Sequence, residues 1–216
     1  KLLLNIGGSP KWNKVVAKAM WGDDENKEFE GAICKIIDDN DSTITIKKLQ
    51  HEVRRDTMTG LYNSAAARDH IQKLLDQQDG RQYVLALMDI DNFKIANDTR
   101  GHLFGDRVIE VVAARIKENI RSADIAARVG GDEFIVFMEY HKNAEPQIKR
   151  IFNKLCGDYD GFDINLSMGV AITDSEQKDF DTVFKNADTA MYSVKKSTKC
   201  GYKFYDNSMN SILGKN

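Results

Sequence analysis

The run Tyr83-Val84-Leu85-Ala86-Leu87-Met88 is apolar at every position and ends in Asp89-Ile90-Asp91. A strand with no polar face must lie inside a sheet covered on both sides. Helical periodicity around it supplies the cover. A helix is expected over Ala65–Gln78, stopped by Asp79-Gly80, with Ile71, Leu74 and Leu75 inward. Others are expected over Phe104–Ile120, about Glu145–Cys156 and Phe180–Lys195, each with one apolar face. Further strands are expected at Ile125–Val129, Phe134–Met138, Phe162–Ile172 and Tyr202–Tyr205. Helices and strands interleave, but one strand pair is a hairpin. The expected fold is therefore α/β (α+β), a mixed central sheet flanked by helices.

The first 39 residues read differently. Strand-like runs at Lys1–Ile6, Trp12–Trp21 and Phe29–Ile37 form a small β extension, the last two joined as a hairpin through the polar link Gly22–Lys27. Residues 40–56 place Ile46, Leu49 and Val53 on one helical face and are expected to form a connecting helix. The main domain is expected over 57–206 and a tail over 207–216.

Composition narrows the function. A net charge of −2 and a pI near 6.1 do not favour nucleic acid or an acidic membrane as partner. An anionic nucleotide would have to be held by metal and by local basic residues. Cys34, Cys156 and Cys200 follow no metal-ligand spacing, which fits reduced thiols in a cytoplasmic setting. No apolar run approaches the roughly twenty residues that cross a bilayer.

Chemistry concentrates in two stretches. Arg128-Val129-Gly130-Gly131-Asp132-Glu133-Phe134 reads as a hairpin tip. Its glycines are expected to allow positive φ and close approach of a ligand, and its adjacent carboxylates favour a divalent cation. Asp89 and Asp91 are expected to point to opposite faces, so that only Asp89, with the Ile90 carbonyl, faces the tip while Asp91 is structural. Asp89 would meet Asp132 or Glu133 in an oxygen-rich site suited to Mg²⁺ (or Mn²⁺). The amides of Asn92 and Phe93 at a helix start, with Lys94, would cradle phosphates. Asn97 and Asp106 present an amide and a carboxylate able to read a guanine edge, although a turn residue and a helix cap would look the same.

Asp89–His102, Gly105-Asp106 and Arg128–Phe134, in that order, closely resemble the GGDEF family of diguanylate cyclases. Asp56-Thr57-Met58-Thr59-Gly60-Leu61-Tyr62-Asn63, Ser167-Met168-Gly169-Val170-Ala171 and Ala187-Asp188-Thr189-Ala190-Met191-Tyr192 fit its other motifs, so the resemblance spans about residues 54–206. It implies a nucleotide-cyclase or polymerase-palm-like fold that condenses two GTP into cyclic di-GMP and releases pyrophosphate, across facing domains of a homodimer. It also implies that Asp89, the Ile90 carbonyl and Asp132 hold Mg²⁺, with Glu133 close by and Asp132 assisting deprotonation. Asn97 and Asp106 would read guanine, and Lys94 and Lys195 would contact phosphates. Arg121-Ser122-Ala123-Asp124 resembles the family's inhibitory product site, with Arg121 and Asp124 gripping cyclic di-GMP. Lys11-Trp12 and Glu30–Asp39 look like the last strands of a PAS sensor domain.

The chain departs from the family at two places. Ser64-Ala65 stands where arginines usually follow Asn63. The usual Lys-x-x-Gly-Arg-Asn is Lys195-Lys196-Ser197-Thr198-Lys199-Cys200, so Lys199 offers charge without the arginine fork. The alternative function is a non-catalytic module that binds GTP or cyclic di-GMP.

Overall fold

The computed structural model describes residues 2–6, 9–21, 29–38, 54–77, 80–173, 179–197 and 199–209. The chain divides into two units, Lys1–Val53 and Arg54–Asn216. In the first, β1 (Leu2–Ile6), β2 (Ser9–Trp21) and β3 (Phe29–Asp38) form an antiparallel sheet in that order. The link over 22–28 and most of the expected connecting helix lie outside the described residues. Of that helix, Arg54 is in a turn and Arg55 forms an isolated bridge to Tyr62.

The second unit runs β4 (Tyr62–Asn63), α1 (Ser64–Asp76), β5 (Gln82–Ile90), α2 (Phe93–Arg100), α3 (His102–Asn119), β6 (Ile125–Arg128), β7 (Glu133–Tyr140) and α4 (Glu145–Leu155). It continues through β8 (Gly157–Tyr159), β9 (Phe162–Ile164), β10 (Leu166–Ile172), α5 (Phe180–Lys196) and β11 (Gly201–Phe204). Six strands form the main sheet in the order β11-β10-β5-β7-β6-β4. The sheet is mixed: β10–β11 and β4–β6 are parallel, and the inner pairs are antiparallel. Among the described residues no helix is long and apolar enough to cross a membrane.

Strand alternation divides β5 between two cores. Val84, Ala86, Met88 and Ile90 pack with α2, α3 and α4, while Tyr83, Leu85 and Leu87 pack with α1 and α5. The apolar run is thus buried from both sides, as its composition requires. Asn63 starts α1 by accepting from the Ala66 N–H at 2.9 Å, and Asp179 starts α5 by accepting from the Thr182 N–H at 2.9 Å.

One expected strand is divided. The expected strand Phe162–Ile172 breaks at Asn165, whose carbonyl accepts from the Asp91 N–H at 2.8 Å. Its first part pairs instead with β8 in a hairpin turned by Asp160 (φ 52°) and Gly161 (φ 73°). An Asp-Gly pair is a strong hairpin signal.

Candidate active site

Asp89 sits at the end of β5, on the face that looks toward α5. The β5–β7 register sets it opposite Glu133, and the Ile90 N–H donates to the Asp132 carbonyl at 3.3 Å. From α5, Lys195 Nζ lies 2.7 Å from Asp89 Oδ2. Burial raises the Asp89 carboxyl above its ordinary value; Asp132 and Asp91 add to this, and Lys195 opposes it. Burial also raises Glu133, helped by Asp89, Asp132 and Asp188 and again opposed by Lys195. Carboxylates that repel at the end of a strand pair form a donor set that fits a hard cation. Among the described residues no group of three or more His, Cys, Asp or Glu side chains could hold a metal alone. An ion such as Mg²⁺ takes one or two protein carboxylates and completes its shell with water and phosphates.

The tip glycines do not adopt the backbone conformation expected of them. Neither Gly130 nor Gly131 has positive φ. A Cβ on Gly130 would stand 2.7 Å from Glu133 Oε2, so Gly130 makes room for that carboxylate, whereas a Cβ on Gly131 would meet nothing within 4 Å. Arg128 fixes the tip from below. Its Nε and Nη2 donate to the Gly131 carbonyl at 3.0 and 2.7 Å, and its Nη1 reaches Asp56. Asp56 also accepts from the Thr59 N–H and hydroxyl at 2.8 and 2.7 Å. Neither this link between Asp56 and Arg128 nor the nearness of Asp188 to Glu133 could be inferred from motif spacing.

The two aspartates of the Asp89-Ile90-Asp91 segment separate for a reason other than the one expected. Residues two apart on an extended strand share a face. They part because β5 ends at Ile90 and the chain turns through Asn92, which is left-handed at φ 58°. Asp91 is buried, and it accepts from Ser167 Oγ at 2.8 Å and from the Cys200 N–H at 2.9 Å.

Beyond the turn, α2 begins at Phe93; the Ile95 N–H donates to the Asn92 carbonyl at 2.9 Å, and the amides of Phe93 and Lys94 come before the helix's own ladder of bonds. Lys94 is exposed. Lys199 Nζ donates to Asn92 Oδ1 at 3.1 Å, bringing the C-terminal lysine to the same loop. On the neighbouring elbow, a Cβ on Gly105 would lie 1.9 Å from Asn97 Oδ1. Gly105 therefore lets α3 approach α2 closely enough to seat Asn97 beside it. Asp106 follows directly, half-buried.

Arg121 and Asp124 close a turn on each other. The Arg121 N–H donates to Asp124 Oδ2 at 2.7 Å, and the Asp124 N–H donates to the Arg121 carbonyl at 3.0 Å. Burial raises the Asp124 carboxyl, partly offset by the Arg121 amide and by the charges of Arg121 and Arg150. The turn borders a groove of about 760 Å³ that also takes in Arg55, His70, Lys73 and Lys117. The structure thus sets this pair at the far end of β6 from the tip.

Residues 53–200 match the family model described as "Diguanylate cyclase, GGDEF domain". The chain belongs to the GGDEF family. Over 164 residues this GGDEF domain is 34% identical to the bifunctional diguanylate cyclase/cyclic di-GMP phosphodiesterase MucR of Pseudomonas aeruginosa, covering 72% of this chain and 24% of MucR. It is 29% identical to the cyclic di-GMP phosphodiesterase PdeR of Escherichia coli, covering 88% of this chain and 29% of PdeR. The chain thus spans about a quarter of the length of these curated relatives. Among solved structures, the coiled coil and GGDEF domain of DgcB from Caulobacter crescentus, in complex with c-di-GMP, superposes with a TM-score of 0.66 at 26% identity, covering 76% of this chain and 95% of that one. The mixed sheet flanked by helices is therefore the fold of this family.

Proposed function

We propose that this GGDEF domain is an active diguanylate cyclase, condensing two GTP into cyclic di-GMP with release of pyrophosphate. The observation that carries the reading is the opposition of Asp89 and Glu133 across the central strand pair, with Lys195 alongside. A module that only bound nucleotide would have no use for carboxylates held against each other's charge. Asp89, the Ile90 carbonyl, Asp132 and Glu133 would hold Mg²⁺ (or Mn²⁺), which when bound polarises the phosphate and acidifies the attacking hydroxyl. Lys94, Lys195 and Lys199, with the amides of Asn92 and Phe93, hold the triphosphate. Asn97 and Asp106 orient guanine; the Asp106 carboxylate accepts from donors that adenine lacks. Asp132 takes the proton from the 3′-hydroxyl that attacks the α-phosphate of the other GTP. One domain holds one GTP, so two copies face each other as a homodimer.

Product retained at Arg121 and Asp124 would inhibit, and the strands of residues 1–39 would be the end of a PAS-like sensor. The reading is tested by incubating the chain with GTP and Mg²⁺ over a protein-concentration series and measuring cyclic di-GMP by chromatography. Product per monomer should rise with concentration. Nucleotide binding without product at any concentration would make the domain a binding module instead.

A further inference from the structure

Asp91 is a buried charge that the proposed chemistry does not use, only 5% exposed and placed between the carboxylate pair and the phosphate loop. Both its oxygens are occupied, one by Ser167 Oγ and the other by the Cys200 N–H, and its own N–H is fixed by the Asn165 carbonyl. A buried carboxylate is tolerated only when satisfied in this way. What it satisfies is unusual. Lys199 (φ 51°) and Cys200 (φ 44°) are consecutive left-handed residues, neither of them glycine. Such a conformation is costly for L-residues and persists only where the surroundings impose it.

The consequence lies in the flanking lysines. Lys195 reaches Asp89 at 2.7 Å, and Lys199 reaches Asn92 at 3.1 Å. One segment therefore sets a lysine at each end of Asp89–Asn92, with Asp91 gripping it in between. The grip is on a backbone N–H, and Lys199 itself bonds a neutral amide oxygen. Its ammonium is thus not neutralised by the clamp and can meet an anion.

We propose that Asp91 is a positioning residue for substrate phosphates: it holds the turn after α5 so that Lys199 and Lys195 stand on the same side of the site as Lys94. This role rests on the GTP reading above. It explains how a lysine can serve where an arginine fork is usual, since a point charge on a flexible stem needs its backbone fixed.

The test is calorimetric binding of a non-hydrolysable GTP analogue and of GMP, both with Mg²⁺, to wild type, Asp91→Ala, Lys199→Ala and the double variant, with thermal melts alongside. Each single change should weaken the triphosphate analogue about tenfold. The double variant should be no more than about twofold weaker than the weaker single variant, because Lys199 is already misplaced once Asp91 is gone. GMP, which lacks the outer phosphates, should bind within about twofold of wild type throughout. If Asp91→Ala does not fold, Asp91→Asn, which keeps one oxygen for the Cys200 N–H, should show a smaller loss with the same non-additivity. Multiplying losses in the double variant, or equal losses for GMP and the analogue, would overturn the role while leaving the GTP reading intact. A wild type that binds neither nucleotide would overturn both.

Discussion

Arg128 and Asp56, 72 residues apart in sequence, meet with Nη1 at 3.4 Å from each carboxylate oxygen, while the same guanidinium holds the Gly131 carbonyl. The first turn of the unit is thereby fastened to the hairpin tip. Asp56→Ala would leave a half-buried arginine and the Thr59 donors without their acceptor. It should cost about 2 kcal/mol in denaturant unfolding and lower turnover more than it weakens nucleotide binding, because the tip carries the carboxylates proposed to react. An unchanged unfolding midpoint would show that the link is incidental.

The same residue sets an acid limit. Burial alone would raise the Asp56 carboxyl, but Thr59 and Arg128 more than offset it and hold it below the ordinary 3.8. A depressed folded value means that the deprotonated form stabilises the fold. The contribution is complete above the ordinary value and is lost as pH falls through the folded one. The stability gap between wild type and Asp56→Asn should therefore be constant near neutrality and shrink in acid below that value. Unfolding curves across acid pH would show it, and a gap that widened in acid would contradict the sign.

The two tip glycines should respond unequally to alanine. In Gly130→Ala the new methyl would press on the Glu133 carboxylate and move it from its place opposite Asp89, so cyclic di-GMP formation should fall at least about tenfold with little change in melting. In Gly131→Ala the methyl enters open space at a backbone angle that any residue adopts, so stability should hold or rise by about 0.5 kcal/mol. Parallel melts and product assays would separate the two, and equal responses would deny the division of labour.

Gly105→Ala probes base recognition. Alanine favours a helix over glycine by about 1 kcal/mol, so the fold should not suffer, but Asn97 Oδ1 must swing away. Preference for GTP over ATP in competition binding should drop by about tenfold. A lower melting temperature with selectivity intact would mean that Gly105 serves packing alone.

The central strand, the hairpin and the amphipathic helices were legible because each rests on local periodicity or turn chemistry. The side chains that meet at the site were legible only in part. Once two neighbouring strands were assumed, the sequence brought Asp89 to Asp132 or Glu133; only the register singles out Glu133. The reach of Lys195 to Asp89, the seat of Asn97 over Gly105 and the tie between Arg128 and Asp56 depend on how α5, α3 and the first turn dock on the sheet. No spacing encodes that docking. The break at Asn165 was half legible: Asp160-Gly161 announces the hairpin that takes the first part of the expected strand, whereas the contact of the Asn165 carbonyl with the Asp91 N–H, just past the end of β5, joins residues far apart in sequence.

The strand order has a consequence for assembly. The sheet is closed at its two margins by short strands, Tyr62–Asn63 and Gly201–Phe204, while Asp89 and Glu133 lie on β5 and β7, each with one strand between it and the nearer edge strand. Copies that joined by extending the ladder would gain few backbone bonds and would leave their carboxylates far from the seam. Two such domains that condensed GTP as proposed would meet across the loop ends of their sheets, and a partner or ligand that covered those ends would compete with that reaction.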